Sequence, residues 1–133
     1  MARKHAVLSA SSAARWIACP PSARLNAEQS DTPSEYAAQG TDAHTLCEYK
    51  LRKALGERVR DPTKKLSSYD SEMEECAEFY AQFVMGLVAQ FREESKDTMV
   101  SVEQRVDFSA FVPDGFGTAD TLIISGKKVC IVD

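Results

Sequence analysis

The sequence lacks most of the features that announce a function. Its four cysteines, Cys19, Cys47, Cys76 and Cys130, are scattered and form no CxxC pair. That excludes a cysteine-spelled zinc site within the chain and favours a reduced, cytoplasmic setting. No apolar run approaches the ~18–20 residues of a membrane span, and residues 1–10 lack the hydrophobic core of a signal peptide. An excess of positive charge is also absent: 16 Lys and Arg stand against 20 Asp and Glu, a net charge of −4. The chain is therefore no general polyanion binder, and a DNA partner must meet local patches. Aromatic residues make up 8 % and include a single tryptophan, Trp16. No internal repeat or low-complexity segment is visible.

What is present is periodicity with clear stops. At 133 residues the chain has the length of a single domain with one modest core, residues 1–133. Residues 9–56 read as helical. A short helix over Ser9–Ala18 ends at Pro20-Pro21, and a second short turn follows through Leu25. A longer helix is capped by Thr32, with Pro33 at its first position and Glu35 completing a capping box, and Gly56 is its left-handed stop. Its face is traced by Tyr36, Gly40, Ala43, Cys47, Tyr49 or Lys50, and Ala54. Residues 70–95 form the main core helix. Its stripe of Met73, Cys76/Ala77, Tyr80, Phe83/Val84, Leu87/Val88 and Phe91 holds one face of a 3.6-residue repeat for five turns. The acidic run Asp70, Glu72, Glu74, Glu75 and Glu78 is the solvated side of that helix.

After Lys96-Asp97 the period changes from 3.6 to 2, and residues 98–133 read as a β-meander. Val100, Val102 and Val106 alternate with Ser101, Glu103 and Arg105. A second strand covers Thr118–Ile124, Ser125-Gly126-Lys127 turns, and a third strand covers Lys128–Asp133. The expected fold class is therefore mixed α/β (α+β): helices followed by a three-stranded antiparallel meander.

The closing hairpin carries Asp120 near the start of one strand and Asp133 at the end of its partner. Antiparallel pairing around the turn brings the two to the same end, within a residue of register. Two carboxylates so placed repel each other and are tolerable when a cation lies between them. Hard oxygen ligands suit Mg²⁺ or Mn²⁺. The residues alone leave a second reading open, with Asp120 an ordinary cap after Gly117-Thr118-Ala119 and Asp133 a polar chain end.

Gly117-Thr118-Ala119-Asp120, a hydrophobic hairpin, then Ile131-Val132-Asp133 resembles the core of the PD-(D/E)xK nucleases, in particular the RecB-like exonuclease branch. Gly40-Thr41-Asp42-Ala43-His44 is similar to that branch's G-x-x-x-H helix motif. Ser9-Ala10-Ser11 through Trp16-Ile17-Ala18-Cys19-Pro20 resembles the first segment of the CRISPR-associated and AddB-type iron–sulfur exonucleases. The likeness extends to a phage and prophage family of RecB-like proteins described mainly as a domain of unknown function, which implies a bacterial or phage-encoded protein. It implies a restriction-endonuclease-like core, incomplete over these residues. It also implies a Mg²⁺ or Mn²⁺ held by His44, Asp120 and Asp133, with Glu103 as a further acidic ligand and the Val132 carbonyl as another. Asp120 and Asp133 would be the catalytic pair, DNA the partner, and Cys19 the first ligand of a [4Fe–4S] cluster in the full-length protein. Without the likeness, Cys47, Cys76 and Cys130 read as core residues, Trp16 as core, and Lys127 and Lys128 as a solvated turn.

The D/E-x-K lysine of the pattern would be residue 135. The expectation is thus a metal-dependent DNA exonuclease domain truncated before its catalytic lysine and inactive as it stands. The rival expectation is a non-catalytic nuclease-like module that binds DNA or protein. The apolar run Val129–Val132 suits a strand buried on both faces, and an uncovered hydrophobic edge invites pairing. Self-association through residues 128–133 is expected to show as a dimer by light scattering at high concentration, and a monomer there contradicts it.

Overall fold

A computed structural model describes residues 6–29 and 34–133. The fold is α+β: four α-helices and a three-stranded antiparallel sheet among the described residues. The chain divides into two compact units, one formed by residues 1–32 and 105–119, the other by residues 33–104 and 120–133.

In the first unit, a 3₁₀ turn at Ala10–Ser12 leads into α1 (Ala13–Ala18). The Trp16 indole N–H donates to the Ser9 carbonyl at 2.9 Å, and the Ser9 and Ser12 hydroxyls share a 2.7 Å hydrogen bond. Trp16 is therefore half-buried against its own serine turn. Pro20 and Pro21 do more than end α1. They open α2 (Pro21–Ala27), because a proline at the first helical position sacrifices no helical hydrogen bond. Cys19, between the two helices, is exposed.

The second unit is built on α3 (Glu35–Ala54) and α4 (Ser71–Glu94). Thr32 and Pro33, expected to start α3, lie outside the described residues. The observed N-cap is Ser34, whose hydroxyl accepts from the Ala37 amide at 3.1 Å. The stop at Gly56 is as expected. Its φ of +88° lets the Gly56 amide donate to the Lys53 carbonyl and the Glu57 amide to the Arg52 carbonyl. That is the paired closure of a Schellman motif. Asp70 caps α4 by accepting from the Met73 amide at 2.7 Å. Lys50 on α3 is paired with Glu74 and Glu78 on α4.

The stripe on α4 holds with two changes. Met73, Ala77, Ala81, Val84 and Val88 are buried, whereas Cys76 and Phe83 are exposed. A continuous stripe of that width is broader than the line of contact a helix makes with one neighbour. On α3 the buried residues are Leu46 and Leu51, whereas Tyr36 is 85 % exposed. Leu51, Val84, Val88 and Ile123 make the main core, joined at its edge by Val100, Val102, Cys130 and Val132.

The sheet runs β1 (Met99–Asp107), β2 (Phe116–Ser125) and β3 (Lys128–Val132), in the order β1-β2-β3. Ser125 pairs with Lys128, so the turn is the two residues Gly126-Lys127 rather than the three expected. Gly126 has φ +58° and Lys127 does not follow it into that region, the pattern of a type II′ turn. Cys130 and Val132 face the helices, while Val129 and Ile131 on the alternate face are each 62 % exposed. Shortening Leu51 to Ala should cost about 2–5 kcal/mol, because a fully buried side chain at the centre of the main core leaves a cavity. Urea unfolding of Leu51→Ala checks this. A loss below about 1 kcal/mol contradicts the placement.

Candidate metal centre

The site lies entirely within the second unit and is assembled by three local devices. α3 brings His44 one turn beyond Gly40. The β2–β3 register sets Thr121 opposite Val132, and one step further along it places Asp120 across from Asp133. β1 brings Glu103, whose backbone is left-handed at φ +53°. A non-glycine residue in that conformation inside a strand costs on the order of 1–3 kcal/mol.

These devices converge. One ligand atom each from His44, Glu103 and Asp120 lie within 4.8 Å of one another. Ligands of an octahedral ion at about 2.0–2.1 Å from the metal sit roughly 2.9–4.2 Å apart, so a small inward shift would close the three on a cation. His44 Nδ1 stands 3.1 Å from Asp120 Oδ2. A nitrogen lone pair and a carboxylate at that separation repel unless a proton or a cation lies between them. Asp133 lines the same cavity and raises the Asp120 pKa by charge and by hydrogen bonding, but it stands outside the tight group of three. Of the four expected side-chain ligands, the structure therefore gathers three closely and places the fourth beside them.

The cavity encloses about 410 Å³, and its walls also include Cys47, Glu48, Phe79, Tyr80, Phe83 and Val102. No lysine or arginine is among its described lining residues. The cost of that acidity is visible in the carboxyls. Asp120 is pushed above its ordinary value of 3.8 by burial first, opposed by His44 and reinforced by Asp133. Glu103 is pushed above 4.5 by burial, then by the charges of Asp120 and Glu48, with His44 and Arg52 opposing. Burial and Asp120 also raise the Cys47 thiol, which makes it a poor nucleophile.

Three contributors were invisible to motif reading. Glu48 follows His44 by one helical turn and so faces the same cavity. Arg52 follows by another turn. It binds Glu48 at 2.8 Å and Glu57 at 3.1 Å, and donates to the Val102 carbonyl at 3.1 Å. Arg52 thus ties α3 to β1 at the residue just before the strained Glu103. Tyr80, read as core, shares a 2.8 Å hydrogen bond with the buried Thr121 hydroxyl, next to Asp120. Spacings of four and eight from His44 are the available signal for Glu48 and Arg52. Nothing in the sequence pairs Tyr80 with Thr121. Lys128, at the far end of the hairpin, is paired with Glu94.

Cys19, expected to ligate a cluster in the full-length protein, is exposed. Cys19 is the sole cysteine of its unit, and no three cysteines gather among the described residues.

The raised carboxyls fix a sign. Between the ordinary carboxylate range and the raised native values, the folded chain holds protons that the unfolded chain has released. These groups therefore lower stability as pH rises through that window, and the deficit persists above it. Asp120→Asn should melt higher than the parent at pH 7 in EDTA. The difference should vanish near pH 3. An equal or lower melting temperature at pH 7 contradicts the electrostatic account.

No solved structure matches the chain. A family model described as "Protein of unknown function (DUF2800)" matches residues 5–133. With nearly its whole length so matched, this chain is a member of that family of unknown function.

Proposed function

We propose that these residues form the metal-binding part of a metal-dependent deoxyribonuclease of RecB-like type. The observation that carries the reading is the convergence of His44, Glu103 and Asp120 within 4.8 Å, in a cavity that Asp133 also lines. Motif order supports it: the same residues were singled out by their likeness to the RecB-like pattern. His44, Asp120, Asp133 and Glu103 would hold the ion, with the Val132 carbonyl as a further ligand by that likeness. A Mg²⁺ or Mn²⁺ bound there would supply a water of lowered pKa and polarise a phosphodiester. α3, β1 and the hairpin each carry a ligand on secondary structure packed against the core.

No lysine or arginine is among the cavity's described lining residues to orient an attacking water or to meet charge developing on phosphate. That feature favours a second reading, in which this chain binds metal and DNA without cutting. A reduced, cytoplasmic setting accords with four free thiols.

Isothermal titration with Mn²⁺ should show one site that Asp120→Ala weakens at least tenfold, a loss of about 1.4 kcal/mol. Equal affinity in the two proteins would sink the proposed site. Incubation of end-labelled DNA with the Mn²⁺-loaded chain separates the two readings, since cleavage abolished by Asp120→Ala requires the catalytic one.

A further inference from the structure

The metal cavity has two chemically different halves. One is the His44, Glu103 and Asp120 cluster. The other is apolar and includes Phe79 and Phe83, which lie one turn apart on α4 and line the same cavity. Phe79 is 72 % exposed and Phe83 52 %. Both rings sit outside the buried residues of α4, so the core does not account for them. Tyr80, between them in sequence, turns instead to Thr121.

An occupant of this cavity must satisfy both halves together. A purely apolar partner would desolvate Glu103 and Asp120 further, although burial has already raised both. It would return nothing to them, and uncompensated buried charge is strongly unfavourable. A purely ionic ligand would leave the rings in water. A nucleotide answers both requirements, because its phosphate carries oxygens for a cation on the carboxylates and its base has a flat π-face for the rings. The cavity's 410 Å³ falls in the usual small-ligand range of about 300–1,000 Å³. That volume accommodates one nucleotide. With no lysine or arginine among the described lining residues, a cation on the carboxylates is the main positive charge available to the phosphate.

We propose that Phe79 and Phe83 form a stacking platform for an unpaired nucleotide whose phosphate is held by a divalent cation on His44, Glu103 and Asp120. The platform makes the site selective for unpaired nucleic acid and makes binding dependent on the metal. It rests on the metal-centre reading above.

The test is fluorescence anisotropy of a labelled single-stranded oligonucleotide with the full chain, with Mn²⁺ or EDTA, alongside Mn²⁺ titration without DNA. Binding is expected in Mn²⁺ and not in EDTA, with the single strand favoured over a blunt duplex of the same sequence. Phe79→Leu and Phe83→Leu should each weaken single-strand binding about five- to tenfold, the low end for loss of one stacked base. Phe79→Tyr and Phe83→Tyr should retain it, and all four variants should keep the parent's Mn²⁺ affinity. Leucine variants that bind DNA as well as the parent overturn the platform, as does metal-independent binding. A Phe79- and Phe83-dependent dimer by light scattering also overturns it, by showing that the rings are covered by a second copy. Failure of the chain to bind Mn²⁺ at all overturns the metal centre itself, a result distinct from loss of DNA binding alone.

Discussion

The arrangement depends on holding like charges together. Glu103, Asp120 and Asp133 line one cavity with Glu48 beside them, and no lysine or arginine is among its described lining residues. Left to themselves these carboxyls would move apart or take up protons. They stay because the backbones carrying them are fixed by a core of Leu51, Val84, Val88 and Ile123 that does not depend on the site. The residual conflict shows as raised carboxyl pKa values and as a left-handed residue in the middle of a strand. Strain and charge repulsion of this kind persist only where surrounding packing over-determines the geometry.

Arg52 illustrates how that geometry is enforced. Its guanidinium binds two glutamates near the end of α3 and the Val102 carbonyl, so β1 is fastened to α3 immediately before Glu103 bends out of strand conformation. Its charge offsets some of the repulsion felt by Glu103 without Arg52 entering the cavity. A cation supplied from outside would complete what Arg52 begins, which is the physical sense of the proposed metal site. The exposed rings of Phe79 and Phe83 give the same cavity a face that a metal alone does not use.

Much of this was legible in the residues. Asp70 before an apolar stripe predicts the start of α4, and Gly56 after Leu55 predicts the stop of α3, because caps satisfy backbone groups with neighbours in sequence. The change of period after Asp97 marks the passage from helix to strand. The hairpin put Asp120 and Asp133 together to within a residue, and the observed two-residue turn sets them directly across. Reading failed where contacts are long-range. Phe83 and Cys76 share the apolar stripe of α4 and are nevertheless exposed, since the stripe does not say how wide its partner is. Leu46 and Leu51 were passed over in favour of Tyr36, which faces outward.

The sequence by itself determined the elements, their order, and the motif residues His44, Asp120 and Asp133. Each of these depends on spacing along the chain, which local hydrogen bonding and side-chain periodicity translate directly into position. Tertiary structure decided that Glu103 joins them, through a backbone twist that no propensity predicts. It brought Glu48 and Tyr80 to the cavity, set Arg52 as the tie between α3 and β1, and left two phenylalanines exposed at the cavity. Those outcomes depend on how α3, α4 and the sheet pack on one another, and packing is a property of pairs of elements that no single stretch of sequence contains.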